Sequence, residues 1–171
     1  MTKNKEKFIQ LLHDHKQIIF KVCNMYCKDS EDQKDLVQDV IYQLWNSFEN
    51  YDSKYKVTTW MYRIALNVAI SFYRKTKTKM KYNTRLDDSF LEIGVEEEID
   101  QAEEVKMLKN FINQLDKMNK ALMILYLDGN SHEEIGNVLN ISTSNVGTKI
   151  NRIKSKLKDH FKKLNYYESN R

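Results

Sequence analysis

Apolar residues return every three or four positions along most of this chain, and no proline interrupts them anywhere in its 171 residues. That spacing places apolar side chains on one side of an α-helix, whereas a half-buried strand needs strict alternation. Long β-branched alternation is absent. Only four glycines are available for turns, so connections must be short, and the expected fold class is all-α. The length suits one domain or two small ones.

The spacing predicts a first helix over about residues 5–27, with Phe8, Ile9, Leu12, Ile19, Val22, Cys23 and Tyr26 as its apolar stripe. A second is expected from Ser30, where Gln33 three residues on completes a capping box. Its core face is Val37, Val40, Ile41, Leu44 and Phe48, and its opposite face carries Asp32, Asp35, Asp39 and Asn46. Acids early in a helix suit its dipole. A carboxylate stripe three turns long exceeds what a cap requires and can dock a basic partner.

The loop 49–57 leads into a third helix, 58–75, capped by Thr58 or Thr59. Met61, Ile64, Ala65, Val68 and Phe72 share one arc of about 100° on it. Trp60, Arg63, Asn67, Ile70 and Arg74 share a second arc on the far side. The first face is built to sit on a core. The second carries two guanidiniums, an amide and an indole, which are donors for phosphate and partners for bases.

The net charge of +4 is modest, so its distribution matters more than its total. Residues 53–86 hold nine Lys/Arg, no acid and six interleaved aromatics. Residues 87–105 hold nine acids and no base, while 131–171 hold eight Lys/Arg against four acids. A solvated basic face is the plainer reading of any charge run. Rings that stack on unpaired bases beside cations that track a backbone are, however, how proteins hold a single strand. Two basic blocks with an acidic one between them suggest two nucleic-acid surfaces and a repelling spacer. Periodicity is weak over 76–104, which reads as a flexible acidic linker.

Helical pattern returns over about 102–115 with Val105, Leu108, Phe111, Ile112 and Leu115, then in a short apolar helix over 119–127 that Gly129 terminates. Ser131 and Glu134 form a capping box for a helix burying Ile135, Val138 and Leu139. Asn140 suits a left-handed turn, Ile141 enters the core and Ser142 caps the last helix. That helix turns Val146, Ile150, Ile153 and Leu157 inward and carries Asn145, Lys149, Arg152 and Lys156 beside its exposed side. Two helices, a tight turn and a small, polar first turn on the second helix make a helix-turn-helix, with Gly136 where the helices cross. The first turns of the second helix fit a major groove. Ser144 and Asn145 can reach base edges there, while the lysines and Arg152 hold phosphates. An ordinary helical hairpin is the competing reading.

Cys23 and Cys27 lie four apart on the first helix, and with His13 and His15 they can be imagined as zinc ligands. Cys23 shares its face with Phe8, Leu12, Ile19 and Tyr26, so structural thiols are expected. Met1–Lys7 is polar and no apolar run approaches about 18 residues. The expected compartment is the cytoplasm.

The order of these parts resembles the extracytoplasmic-function (ECF) sigma factors, bacterial initiation factors reduced to the second and fourth sigma regions. Asp35-Leu36-Val37-Gln38-Asp39-Val40, ending at Leu44-Trp45, is similar to the segment that binds the polymerase clamp. Trp60-Met61-Tyr62-Arg63-Ile64-Ala65-Leu66-Asn67 is similar to the segment that melts the minus-ten element, and Leu125–Leu157 to the minus-thirty-five helix-turn-helix. The resemblance implies region 2 over 1–80, a linker over 81–104 and region 4 over 105–166. It implies polymerase binding by Asp35, Leu36, Gln38, Asp39, Gln43 and Trp45, and minus-ten binding by Trp60, Arg63, Asn67, Arg74 and Lys75. Minus-thirty-five binding falls to Ser144, Asn145, Thr148, Lys149, Arg152 and Lys156. It also implies core RNA polymerase, promoter DNA and an anti-sigma factor as partners, with no metal, cofactor or small-molecule substrate.

Some positions depart from the family pattern. Leu66 stands where a basic residue is usual, Ser71 where Asp is frequent, and Gly136 where Ala is usual. Asn145 and Gly147 replace a Thr and a basic residue in the recognition helix, so an unusual promoter is expected. A plain helix-turn-helix regulator is the rival reading; it explains 102–163 but not the aromatic, basic helix of 58–75. An enzyme is disfavoured, for the chain has no P-loop, dinucleotide turn or nucleophilic triad pattern.

Overall fold

The computed structural model describes residues 2–82 and 103–168, and the side chains of 4–74 and 105–162. The chain divides into two compact units, Met1–Glu97 and Glu98–Arg171. In the first, helices α1 (Thr2–Tyr26), α2 (Ser30–Phe48) and α3 (Val57–Tyr82) pack against one another pairwise. The second holds α4 (Glu103–Gln114), α5 (Lys117–Leu127), α6 (His132–Leu139) and α7 (Thr143–Glu168). The described residues contain no strand.

The first core joins Phe8, Ile19, Val22, Cys23 and Tyr26 of α1 to Leu36, Val40 and Leu44 of α2 and to Met61, Tyr62, Ala65, Leu66 and Ala69 of α3. Ile9 leaves the expected stripe and is 55% exposed, while Ile18 is buried. On α2 the buried row is Leu36–Val40–Leu44, and Val37, Ile41 and Phe48 are only half-buried. The cap of α2 is Asp29 rather than Ser30. Its carboxylate accepts from the Glu31 and Asp32 N–H groups at 2.9 and 3.0 Å, so one anion satisfies two orphan donors at the positive end of the helix.

Helix α3 also differs from expectation. Its first intrahelical bond runs from the Trp60 N–H to the Lys56 carbonyl, so Thr58 and Thr59 lie inside the first turn and do not cap it. Its buried row is Met61, Tyr62, Ala65, Leu66 and Ala69, whereas Ile64, Val68 and Phe72 are half-buried. A helix wedged against two others buries a wide arc, and here that arc includes Leu66. The helix continues through Tyr82, so part of the segment expected as linker is helical; 83–102 lies outside the described residues.

In the second unit Asp116 caps α5, accepting from the Met118 and Asn119 N–H groups at 3.1 and 3.0 Å, so the helix starts two residues before the expected Asn119. It ends in a Schellman motif. Gly129 takes φ +78° and donates to the Tyr126 carbonyl, and the Asn130 N–H reaches the Leu125 carbonyl at 3.1 Å. The Ser131–Glu134 capping box is formed in both directions. Asn140 is left-handed at φ 55°, and the Ser142 hydroxyl accepts from the Asn145 N–H at 3.2 Å. Phe111, Ile112, Leu122, Leu125, Ile135, Val138, Val146, Ile150 and Ile153 are buried. Leu139, Ile141 and Leu157 are half-buried, and Val105 is exposed.

Gly136 and Gly147 play opposite parts. A Cβ on Gly136 would lie 2.7 Å from the Ile141 carbonyl oxygen, a backbone atom in the turn itself. A Cβ on Gly147 would meet only the His132 ring, at 3.6 Å. Gly136→Ala is therefore expected to lower the unfolding free energy by about 1 kcal/mol, overpacking outweighing helix propensity. Gly147→Ala should raise it by about the same amount. Urea titration of both variants checks the opposite signs.

Burial pushes the Cys23 thiol up to about 12, with Cys27 adding to it, and burial likewise pushes the Tyr62 hydroxyl up to about 12. A raised folded-state value means the unfolded chain ionises first. Stability should therefore hold below about pH 9 and fall as pH climbs toward 12. Tyr62→Phe should flatten the part of that decline above about pH 10, read from thermal melts at pH 8, 10 and 11.

Candidate nucleic-acid interface

The end of α2, the loop after it and the start of α3 are tied together by rings. Phe8 meets Trp45 and Phe48 edge-on at 5.0 and 5.3 Å; Phe48 lies 6.4 Å from Trp60, and Trp60 lies 5.0 Å from Tyr51. Trp60 is thus a half-buried strut under the loop, not the free indole that its helical position suggests. The loop is ordered from within. The Asp52 carboxylate accepts from the Lys54 N–H at 3.0 Å, its carbonyl accepts from the Tyr55 N–H at 3.1 Å, and the Tyr51 hydroxyl donates to the Tyr55 carbonyl. The Tyr55 ring is 52% exposed at its tip. Sequence reasoning passed over Tyr51 and Tyr55, whose signal was an aromatic pair beside a turn-forming Asp.

Between α2 and α3 lies an open cavity of about 570 Å³. Ile64, Val68 and Phe72 are its apolar lining; Asn67 and Ser71 of α3 and Asp39, Tyr42, Gln43 and Ser47 of α2 complete it. This explains the half-buried row of α3: those apolar residues line a cavity instead of filling a core. It also unites residues expected to serve two partners, because Asp39 and Gln43 share one space with Asn67.

The remaining expected polymerase contacts separate. Asp35 and Gln38 are exposed, and Trp45 is 41% exposed with one edge on Phe8. Leu36 is corrected: it is 0% exposed and belongs to the core row with Val40 and Leu44, so it cannot touch a partner. Arg63 and Arg74 are exposed on α3, and the Lys75 side chain lies outside the described residues.

On α7, Ser144, Asn145, Thr148, Arg152 and Lys156 are exposed and Lys149 is half-buried. The Thr148 hydroxyl donates to the Ser144 carbonyl at 3.0 Å, which leaves its oxygen as an acceptor. Residues 143–158 contain five Lys/Arg and no acid. One of these cations, Lys154, is held over the Tyr126 ring, 4.5 Å from its centroid, and donates to the Tyr126 hydroxyl. It clamps α7 to α5. The others give the helix a cationic flank beside a short polar first turn, the pattern that suits backbone contacts around a groove.

Family models agree with this geometry. Residues 11–79 match sigma-70 region 2, and residues 106–157 match sigma-70 region 4. The chain is 27% identical over 132 residues to the ECF RNA polymerase sigma factor SigM of Bacillus subtilis, covering 77% of this chain and 80% of SigM. It is 24% identical to SigW of the same organism over 94% of this chain and 92% of SigW. Its fold is similar to the sigma factor RpoE of Bartonella quintana, solved with the anti-sigma factor NepR, at TM-score 0.69 and 14% identity over 95% of this chain and 98% of that one. With both sigma regions in order on two helical units, the chain belongs to the sigma-70 family and is an ECF RNA polymerase sigma factor, which directs promoter-specific transcription initiation.

Proposed function

We propose that the cavity between α2 and α3, together with the loop 49–56 that joins these helices, captures an unpaired base of the minus-ten element. The observation that carries this reading is the meeting of Asn67 and Gln43 across a space with an apolar wall. An apolar wall takes the face of a base, and amides read its edge. Arg63 and Arg74 hold the adjoining phosphates, and Trp60 positions the loop. Each base stacked on protein returns about 1–3 kcal/mol, comparable with the few kcal/mol that unstacking costs, so binding alone can drive strand separation. No catalytic group is required.

Asp35, Gln38 and Trp45 form the surface offered to core polymerase, since they remain exposed on α2. The same surface is the natural target of an anti-sigma factor, the kind of partner that NepR is to RpoE of Bartonella quintana in their co-crystal structure. Helix α7 enters the major groove at the minus-thirty-five element, with Ser144 and Asn145 toward bases and Lys149, Arg152 and Lys156 toward phosphates.

In-vitro transcription from a genomic fragment library with bacterial core polymerase tests the base-capture reading. Discrete start sites should appear with the protein and fall about fivefold or more in Asn67→Ala, the loss expected for one captured base. Start sites indifferent to Asn67 would refute it. For α7, Arg152→Ala should reduce the slope of log affinity against log salt by about 1 on every promoter. Asn145→Ala should instead relax preference at one base pair, and competition binding by holoenzyme separates the two effects.

A further inference from the structure

Helix α7 has two polar flanks, and one of them lacks a cation near its start. Projected at about 100° per residue, Ser144, Thr148 and Ser155 form an exposed ridge opposite the buried row Val146, Ile150 and Ile153. Asn145, Lys149, Arg152 and Lys156 run along one side of that ridge, and Gly147, Asn151, Lys154 and Lys158 run along the other. A helix seated in a major groove has a row of phosphates on each side, so each flank meets one strand. The second flank carries no charge of its own before Lys154. The His132 ring of α6 lies beside its bare position: a Cβ on Gly147 would meet the Nδ1 and Cε1 atoms of that ring at 3.6 and 3.7 Å.

Resting on the reading that α7 enters the groove at the minus-thirty-five element, we propose that His132 supplies the missing cation and makes promoter affinity depend on pH. Its protonated imidazole binds a backbone phosphate on the Gly147 side of α7. The ring is available for this. His132 is exposed, and among the described residues no hydrogen bond or ion pair engages it. Gly147 has no side chain to stand between the ring and the groove. The charged groups on the elements around it are Glu133 and Glu134 on α6, Asp128 at the end of α5, and Lys149, Arg152 and Lys154 on α7. Of these, Glu134 is committed to the Ser131 N–H at 2.8 Å and Lys154 to the Tyr126 hydroxyl. An imidazole changes charge between about pH 5 and 8. The start of a helix disfavours a cation, whereas a phosphate favours one. Binding is therefore coupled to proton uptake at this ring, and affinity rises as pH falls.

The test is competition binding of one promoter fragment by reconstituted holoenzyme, across a range of salt concentrations at about pH 6 and about pH 8. Wild type and His132→Gln are compared. One phosphate contact adds about 0.9 to the slope of log affinity against log salt, which is about threefold between 50 and 200 mM. At the lower pH the wild-type slope should be steeper than that of His132→Gln by about this amount, and at the higher pH the two slopes should coincide. Titration of the polymerase, or of His13, His15 and His160, is common to both proteins and cancels in the comparison. His132→Gln combined with Gly147→Lys places a permanent cation on the same flank and should give the steeper slope at both pH values.

Equal slopes for wild type and His132→Gln at both pH values would overturn this inference. So would a loss of affinity in His132→Gln that is the same at both, which marks a packing role for the ring. A lysine at position 147 that leaves the slope unchanged would show that this flank does not reach the backbone, with the same consequence. Arg152→Ala keeps the two readings apart. If it lowers the slope at both pH values while His132→Gln changes nothing, α7 stays in the groove and His132 alone is removed. If it leaves the slope unchanged, the reading of α7 falls and this inference falls with it.

Discussion

The seating of α3 on α1 and α2 is the constraint on which the first unit depends. Tyr62, Met61 and Leu66 are buried almost completely against Leu36, Val40 and Leu44 and the α1 row. Each large apolar side chain so buried contributes about 1.5–3 kcal/mol, against at most about 1 kcal/mol for an exposed ion pair. The rotation of α3 about its axis is therefore set by its apolar side. Arg63, Asn67 and Arg74 are presented outward as a consequence. Ala65 and Ala69, both fully buried, keep the contact close where larger residues would force the helices apart.

A wedge packed on two neighbours cannot also fill the space beside it. Ile64, Val68 and Phe72 face the gap that remains between α2 and α3, and that gap is the cavity. The ring chain from Trp45 through Phe8 and Phe48 to Trp60 and Tyr51 joins α1, the end of α2, the loop and the start of α3. It anchors the loop to a rigid helix start, so the loop's exposed groups are held at low entropic cost. Offset and edge-on rings add about 0.5–1.5 kcal/mol each beyond their burial.

What was legible in the sequence followed what is periodic or local. Helix existence, the Ser131–Glu134 box, the left-handed Asn140 and the Gly129 stop are set by residues within a few positions of one another. The cap of α2 falls on Asp29 and not on the expected Ser30, and α5 starts two residues before the expected Asn119, because several neighbouring polar residues are each competent to cap and tertiary placement chooses among them. The buried face of α3 was misread because the helix is apolar on two sides, and periodicity does not say which side meets a core and which lines a cavity. Leu36 was misassigned for the mirror reason, since it lies beside acids in sequence but shares its row with Val40 and Leu44. The meeting of Gln43 and Asp39 with Asn67 depends on how two helices cross. No spacing within either helix encodes that.

The two units differ in where their charges lie. Helix α7 concentrates its cations in residues 143–158, which hold no acid, an arrangement that suits a duplex whose outer surface is phosphate and whose bases are read only through a groove. The cavity of the first unit carries amides, hydroxyls and one carboxylate beside its apolar wall, an inventory with no cation for a phosphate. Cations belonging to the first unit, such as Arg63 and Arg74, lie on the outer surface of α3 and not in the described lining of the cavity. A cationic outer surface can hold any strand, whereas uncharged polar groups beside an apolar wall can tell one base edge from another.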